Sequence, residues 1–512
     1  MLLNEVMRKE KYIQIFWLLL LFFITGCTPL EILRFSPSKK YPAAAVHEDL
    51  QSMELVLKNN HPSLFWYTDS ASLTSAFIRG HLSVKDSMTE PEIRNLFNEV
   101  LSIIRCGHTS VQHSKIYGLY ASWKPPSGFP LSVKIVDDST LVIASSFNRS
   151  DSFLTRGTTI VSVNGRSAKE LIDTLFPLIP GDGYSRTFSY QLLSNNFSRF
   201  YNSRFPSDSS YIIQFVDSSG RSQYVKRDYY NPYVDAALRN TSLRKAQKLT
   251  PPPKVSKKEM VRSFWVDTSG QYAIMKLNTF SSDLKKRYIK QKFKYLKENQ
   301  VPNLIIDLRN NGGGLIASSL LLAKMIHDLP FVYIDSIVTP YKKLTIPQAA
   351  RVKIQKKIWI NLGMLCFNKK TPNGYRRFSL FAGKTYHPHK YHFKGNIYIL
   401  TGGLSFSATS MLLSSIKGLP NVTLIGEESG GAAYGNNGNF IPDVVLLNTG
   451  LKMRLPVYRI VNNHKLNNNG RGVMPDVEIK ADSASIRENK DVKMIKAEML
   501  IREKMNGQSF SN

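Results

Sequence analysis

The stretch Asn396–Lys417, NIYILTGGLSFSATSMLLSSIK, leaves this chain few folds to choose from. Asn396–Thr401 is a short apolar run with a β-branched centre and reads as a buried strand. Gly402 and Gly403 break it. From Ala408 on, Met411, Leu412, Leu413 and Ile416 recur at helical spacing until Gly418 and Pro420 end the helix. Ser407 is thereby placed where a strand turns into a helix N-terminus. Such a helix end offers free N–H groups and a partial positive charge to a developing oxyanion. Serine at a helix start is more often an ordinary N-cap, so chemistry at Ser407 needs a second feature.

That feature lies upstream in Val301–Gly314, VPNLIIDLRNNGGG. Leu304–Leu308 reads as a buried strand, followed by a polar turn and three glycines. Glycines let the backbone approach a ligand closely and aim its N–H groups inward. Strands at Tyr272–Leu277, Leu304–Leu308 and Asn396–Thr401 alternate with helices over Leu284–Asn299, Ser318–Ile326 and from Ala408. A largely parallel sheet is therefore expected across a core domain of residues 263–482.

Five pieces occur in order: Cys106-Gly107-His108-Thr109, Asp307-Leu308-Arg309-Asn310-Asn311-Gly312-Gly313-Gly314, Ser405-Phe406-Ser407-Ala408, Gly426-Glu427-Glu428-Ser429-Gly430-Gly431 and Gly472-Val473-Met474-Pro475-Asp476. Together they resemble the C-terminal processing (tail-specific) serine peptidases and their tricorn-like relatives. The resemblance implies an α/β (α+β multidomain) fold: a helical N-terminal cap, a PDZ-like β-rich module and a crotonase-like α/β peptidase core. It implies polypeptide substrates and no cofactor. Ser407 takes the nucleophile's position, and the oxyanion donors would be the N–H groups of Ala408, Gly312 and Gly313.

Many members of that family activate the serine with a lysine, whose position here falls on or near Ala432. With the lysine missing, a serine–lysine dyad is excluded unless a distant lysine intrudes. The tricorn-like branch uses a histidine from the N-terminal helical region, in a setting similar to Gly107-His108-Thr109. Imidazole accepts the serine proton and passes it to the leaving amine, given an orienting acceptor on its other nitrogen. The branch supplies a glutamate for this just before Gly-Val-x-Pro-Asp. Here Asn467–Val473 contains no acid, so Asn469 is the expected third member, with Glu427, Glu428 and Asp476 as alternatives.

The cap is expected over residues 43–124. Val46, Leu50, Met53 and Leu57 fall at helical spacing, and a second helix starts at Thr89-Glu90-Pro91-Glu92 and ends directly before His108. Residues 125–231 turn β-rich. Gly157–Ser167 followed by a helix over Ala168–Leu175 looks like the second half of a PDZ domain. That fold grips an extended chain end as an added strand, but no carboxylate-binding loop is evident, so a purely structural module is equally open. Residues 232–262, with Pro251-Pro252-Pro253, read as a linker, and 483–512 as a C-terminal tail or helix.

The N-terminus reads as an address. Arg8, Lys9 and Lys11 precede the apolar run Ile15–Ile24, and Ile24-Thr25-Gly26-Cys27 resembles a bacterial lipobox. Residues 1–26 would be a signal peptide, Cys27 the lipidated first residue and 27–42 a tether. An uncleaved helical anchor is the alternative. Either way the body is expected outside the cytoplasm at a membrane of the bacterial envelope, by this reading on the periplasmic face of the outer membrane.

The other cysteines, Cys106 and Cys366, suggest no disulfide framework; Cys106, with a histidine two residues on, is a rival nucleophile. The net charge of +30 would suggest nucleic acid in a cytosolic protein. With an export leader and no nucleic-acid motif, a basic face against anionic lipid is expected instead. His387, His389 and His392 lie close together in the chain without an acidic cluster, so no metal site is expected. The reading is an envelope-anchored serine endopeptidase. Its rival is a peptidase-fold lipoprotein that binds peptides or a small apolar ligand without cutting. The separation of Ser407 from the nearest imidazole bears directly on the choice.

Overall fold

The computed structural model describes residues 32–508 apart from 124–127, 148–150, 206–209, 218, 232–255, 373, 379 and 463–466. The leader, Cys27 and most of the Pro-rich linker lie outside the described residues.

The core domain is built on a six-stranded sheet in the order Arg262–Val266, Tyr272–Leu277, Asn303–Asp307, Asn396–Thr401, Val422–Gly426, Val477–Glu478. All neighbours run parallel except the first edge pair. Asn303–Asp307 is buried at every position, as expected of a central parallel strand covered on both faces. Helices Lys286–Glu298, Ile316–Ile326 and Ala408–Ile416 cover one face. The other is closed by the C-terminal helix Val492–Gln508, whose Ala497 and Ile501 pack against Ile305, Leu400 and Ile425. Residues 483–512, expected as a C-terminal tail or helix, therefore include a helix that forms a layer of the core.

Two further sheets flank this layer. One takes Asn368–Lys370, Arg376–Phe378, Ser336–Thr339, Tyr458–Val461 and Gly435–Asn439 in that order. The other takes Ala350–Arg351, Asp443–Leu446, Lys452–Arg454 and a strand from the N-terminal cap, Ser110–Gln112. In that last pairing Lys452 opposes Gln112 and Arg454 opposes Ser110.

The cap consists of helices Ala43–Asn60, Ser70–Leu82 and Glu90–Ser102. The third opens with a capping box in which Thr89 N–H and O–H donate to Glu92 Oε2 at 2.8 and 2.7 Å. Val46, Leu50 and Leu57 of the cap share one buried cluster with Leu304, Met411 and Ile460 of the core. Residues 131–228 form a separate antiparallel sheet with helices Ala168–Leu175 and Thr187–Arg204, around their own cluster of Phe129, Leu171, Phe197 and Tyr211. Cap and core are thus one hydrophobic unit, whereas the PDZ-like module carries its own apolar interior.

Candidate active site

Ser407 stands at the N-cap of helix Ala408–Ile416 with φ 57° and ψ −121°, a left-handed backbone rare for a residue with a side chain. The bend is held from below. Ser405 Oγ donates to Leu308 O at 2.9 Å, Phe406 N–H to Asn311 O at 3.1 Å, and Ser410 Oγ to Ser405 O at 3.0 Å. The parallel strands ending at Asp307 and Thr401 deliver both loops to the carboxyl edge of the sheet, where α/β ligand sites form.

His108 comes from the opposite end of the chain. Helix Glu90–Ser102 stops, Arg105 adopts φ 53°, and the chain passes through Gly107-His108 into strand Ser110–Gln112. Two side chains fix this path. Asn98 Nδ2 donates to Val111 O and Asn98 Oδ1 accepts from Val111 N–H, both at 2.9 Å. Glu90 accepts from Ser114 N–H at 2.8 Å and Ser114 O–H at 2.7 Å. His108 Nε2 then lies 3.0 Å from Ser407 Oγ. Its ring stacks on Phe406, which in turn stacks on Phe188 of the PDZ-like module, at centroid distances of 5.0 and 4.6 Å.

The other side of the imidazole faces Asp182, a residue the sequence reading did not single out. Asp182 Oδ1 is 3.8 Å from His108 Nδ1 and accepts from Gly107 N–H at 2.7 Å. His108 Nδ1 and Asp182 Oδ2 are both buried, and neither has a hydrogen-bond partner among the described residues. The Asp182 loop is docked at both ends. Gly183 N–H donates to Arg105 O at 2.9 Å and Tyr184 N–H to Gly470 O at 2.8 Å. Gly183 has φ 60°, and a Cβ there would fall 2.1 Å from Gly470 O, so glycine is required. The one available signal was the turn Pro180-Gly181-Asp182-Gly183, an acid between two glycines.

Asn469 is placed differently from expectation. It is exposed, and its Oδ1 accepts from Arg471 N–H at 3.0 Å, so it closes its own turn. The acidic alternatives are also committed. Glu428 binds the Arg471 guanidinium at 3.0 and 2.7 Å and Gly472 N–H at 2.6 Å. Glu427 pairs with Lys493, and Asp476 with Lys417. Arg309 is clamped between Asp307 and Asp491. Ala432, at the family's lysine position, is buried in a bridge with Gly472. Lys493, the buried lysine among the described residues, gives its ammonium to Thr401 O at 3.0 Å and to Glu427.

Of the three expected oxyanion donors, Gly313 is already used: its N–H donates to Asn311 Oδ1 at 3.0 Å. Ala408 N–H, first in its helix, has no intrahelical acceptor, and Gly312 is exposed. Gly313 instead supplies space. A Cβ there, at φ 95°, would lie 2.8 Å from Ser407 Cβ and 2.9 Å from Ala408 N. Gly438 does the same from above, where a Cβ would approach His108 Nε2 to 3.1 Å and Ser407 Oγ to 3.3 Å.

Cys106 Sγ accepts from Thr109 O–H at 3.3 Å and Asn437 Nδ2 at 3.4 Å, and burial pushes its thiol up to about 11. A protonated thiol is a weak nucleophile and a weak metal ligand at neutral pH. Cys106, His108 and Asp182 are the one His/Cys/Asp/Glu trio among the described residues whose ligand atoms lie within 4.8 Å of one another. The hydrogen bonds to Cys106 Sγ, Asp182 Oδ1 and His108 Nε2 already tie these atoms to the protein. His389 and His392 hydrogen-bond locally, through Tyr391 N–H and His389 O.

Residues 271–479 match the family model described as Peptidase family S41. No curated protein sequence matches the chain. Among solved structures, mature CPAF complexed with lactacystin is similar over 87% of this chain and 95% of that one, at 14% identity and a TM-score of 0.60. The photosystem II D1 C-terminal processing protease covers 86% and 94% at 15% identity, with a TM-score of 0.39. For the tricorn protease the shares are 89% and 37%, the identity 16% and the TM-score 0.35.

Proposed function

Residues 271–479 being a peptidase family S41 domain, and the chain with them a serine-type peptidase, we propose that it cleaves polypeptides through Ser407 and His108, without a lysine. The observation that carries this is the 3.0 Å contact between His108 Nε2 and Ser407 Oγ. At that distance the hydroxyl donates to the imidazole, which puts the other ring proton on Nδ1, the nitrogen facing Asp182. Ser407 Oγ attacks the scissile carbonyl while His108 takes its proton. The carbonyl oxygen becomes an oxyanion met by Ala408 N–H and Gly312 N–H, each worth roughly 10²–10³ in rate. The C–N bond breaks as His108 returns the proton to the amine, and water, deprotonated the same way, hydrolyses the ester.

Asp182 is the positioning residue in this reading. At 3.8 Å its carboxylate is beyond hydrogen-bond length from Nδ1. A closure of about 1 Å would give the Nδ1–H···O bond, a tightening common between free and substrate-bound sites. The three groups come from three parts of the fold, so the site exists only when cap, module and core are docked.

The expected address belongs to the same proposal. With Cys27 as a lipid-bearing first residue, the peptidase is tethered to the envelope and acts on exported polypeptides. Incorporation of an alkyne fatty acid, lost in Cys27→Ala, tests the tether.

Hydrolysis of an unfolded polypeptide and labelling by a fluorophosphonate probe test the chemistry. Both are expected in the native chain and absent in Ser407→Ala. His108→Ala should lose about 10³–10⁴ in rate while retaining its circular dichroism. Undiminished hydrolysis in either variant sinks the assignment. Peptide binding without hydrolysis or labelling in the native chain would leave the non-cutting lipoprotein.

A further inference from the structure

The helix Ile354–Phe367 departs from the rule that one face of a surface helix is apolar and the other polar. Its inward contacts are made by Ile360 and Met364, both buried. Its outward face is apolar as well. Ile354, Ile358, Leu362 and Leu365 recur at intervals of four, four and three residues, and Trp359 and Cys366 adjoin them. Ile354 is 74% exposed, Trp359 72% and Leu365 79%. Large apolar side chains in one contiguous exposed stripe mark an interaction surface.

The charge around the stripe identifies the partner. From Ser336 to Lys394 the chain carries thirteen lysines and arginines and no aspartate or glutamate. Lys353, Lys356 and Lys357 lie at or just before the first turn of the helix, and Lys369 and Lys370 follow its end. An apolar stripe with a tryptophan, rimmed by lysines, is the pattern of a helix lying in a membrane interface. The stripe enters the acyl boundary while the ammonium groups meet anionic head groups. A second copy of this face would bring the same positive charges against it, which opposes self-association.

We propose that helix Ile354–Phe367 docks on an anionic bilayer surface, orienting the peptidase against the membrane independently of any N-terminal lipid. No helix among the described residues is long and apolar enough to cross a membrane, so this contact would be interfacial. It does not depend on the catalytic reading and holds for an inactive chain equally.

The test uses Cys366, an exposed thiol on this helix. The full chain, with Cys27 either lipidated or replaced by serine, is labelled at Cys366 with bimane; buried Cys106 is not expected to react. It is then mixed with phosphatidylglycerol–phosphatidylcholine vesicles whose acyl chains are brominated. Quenching of at least twofold is expected, falling away in pure phosphatidylcholine, in 0.5 M salt and in the Ile358→Ser/Leu365→Ser variant. A label that stays bright while the protein sediments with the vesicles overturns the proposal. So does a label whose emission changes with protein concentration in the absence of lipid, which would make the face a contact between copies.

Discussion

His108 Nε2 and Ser407 Oγ lie 3.0 Å apart although 299 positions separate the two residues in the chain. The cap achieves this by adding strand Ser110–Gln112 to a sheet of the core and burying Val46, Leu50 and Leu57 in the core's own cluster. Among the described residues, the neighbours of both side chains, Cys106, Val111 and Ala408, are therefore held in one continuous hydrophobic unit.

Asp182→Asn should lower kcat by about 10²–10⁴ with little change in KM, because an orienting carboxylate acts on the imidazolium that forms only during reaction. Asp182→Glu should restore part of the loss. Asn469→Ala, which removes an exposed turn acceptor, should stay within about twofold of the native rate. Steady-state kinetics on one peptide checks all three. Equal losses from Asp182→Asn and Asn469→Ala would remove Asp182 from its role.

Gly313→Ala should abolish hydrolysis and fluorophosphonate labelling together. The added methyl would sit 2.8 Å from both Ser407 Cβ and Phe406 O, at a backbone angle of 95° that costs an alanine about 1–3 kcal/mol. Thermal denaturation should show the stability loss, and a probe assay the loss of the nucleophile.

Acid should destabilise the fold through His61. Burial holds this imidazole down to about 3, and its Nε2 lies 3.0 Å from Thr109 Oγ1, next in the chain to His108. In the unfolded chain the group titrates near 6.5. The folded-state value is the lower one, so the unfolded chain binds the extra proton as pH falls. The contribution is complete above about pH 6.5 and is lost progressively toward pH 3. His327, lowered to about 4 by burial, adds a change of the same sign. Melting temperatures measured from pH 7.5 to 4 should fall, and His61→Gln should flatten that slope.

Thiol chemistry should separate the two described cysteines. Burial pushes Cys106 up to about 11, whereas Cys366 is exposed on its helix. In the folded protein at pH 8, iodoacetamide should modify Cys366 and spare Cys106, and both should react in guanidinium. Cys106→Ser should keep most activity, which mass spectrometry of the labelled peptides and a rate assay would check together.

The order of strands and helices in the core was legible because each carries its own period. A buried parallel strand such as Asn303–Asp307 is an unbroken apolar run, and the glycines at 312–314 and 402–403 punctuate it. Ser407 followed from local rules, since a strand-to-helix bend lies within about ten residues of sequence. His108 was reachable only through the resemblance, and the structure brings it to Ser407 by a strand pairing that no local pattern encodes.

Local sequence thus determined the elements, the bend that presents Ser407 and the absence of a lysine at Ala432. Tertiary structure alone decided that Asp182, on a loop of the PDZ-like module, faces the imidazole while Asn469 turns to solvent. It also turned Gly313 N–H onto Asn311 Oδ1. The physical reason is range. Periodicity and turn chemistry act over a few residues, whereas the partner of a buried ring nitrogen is set by how separately formed layers dock.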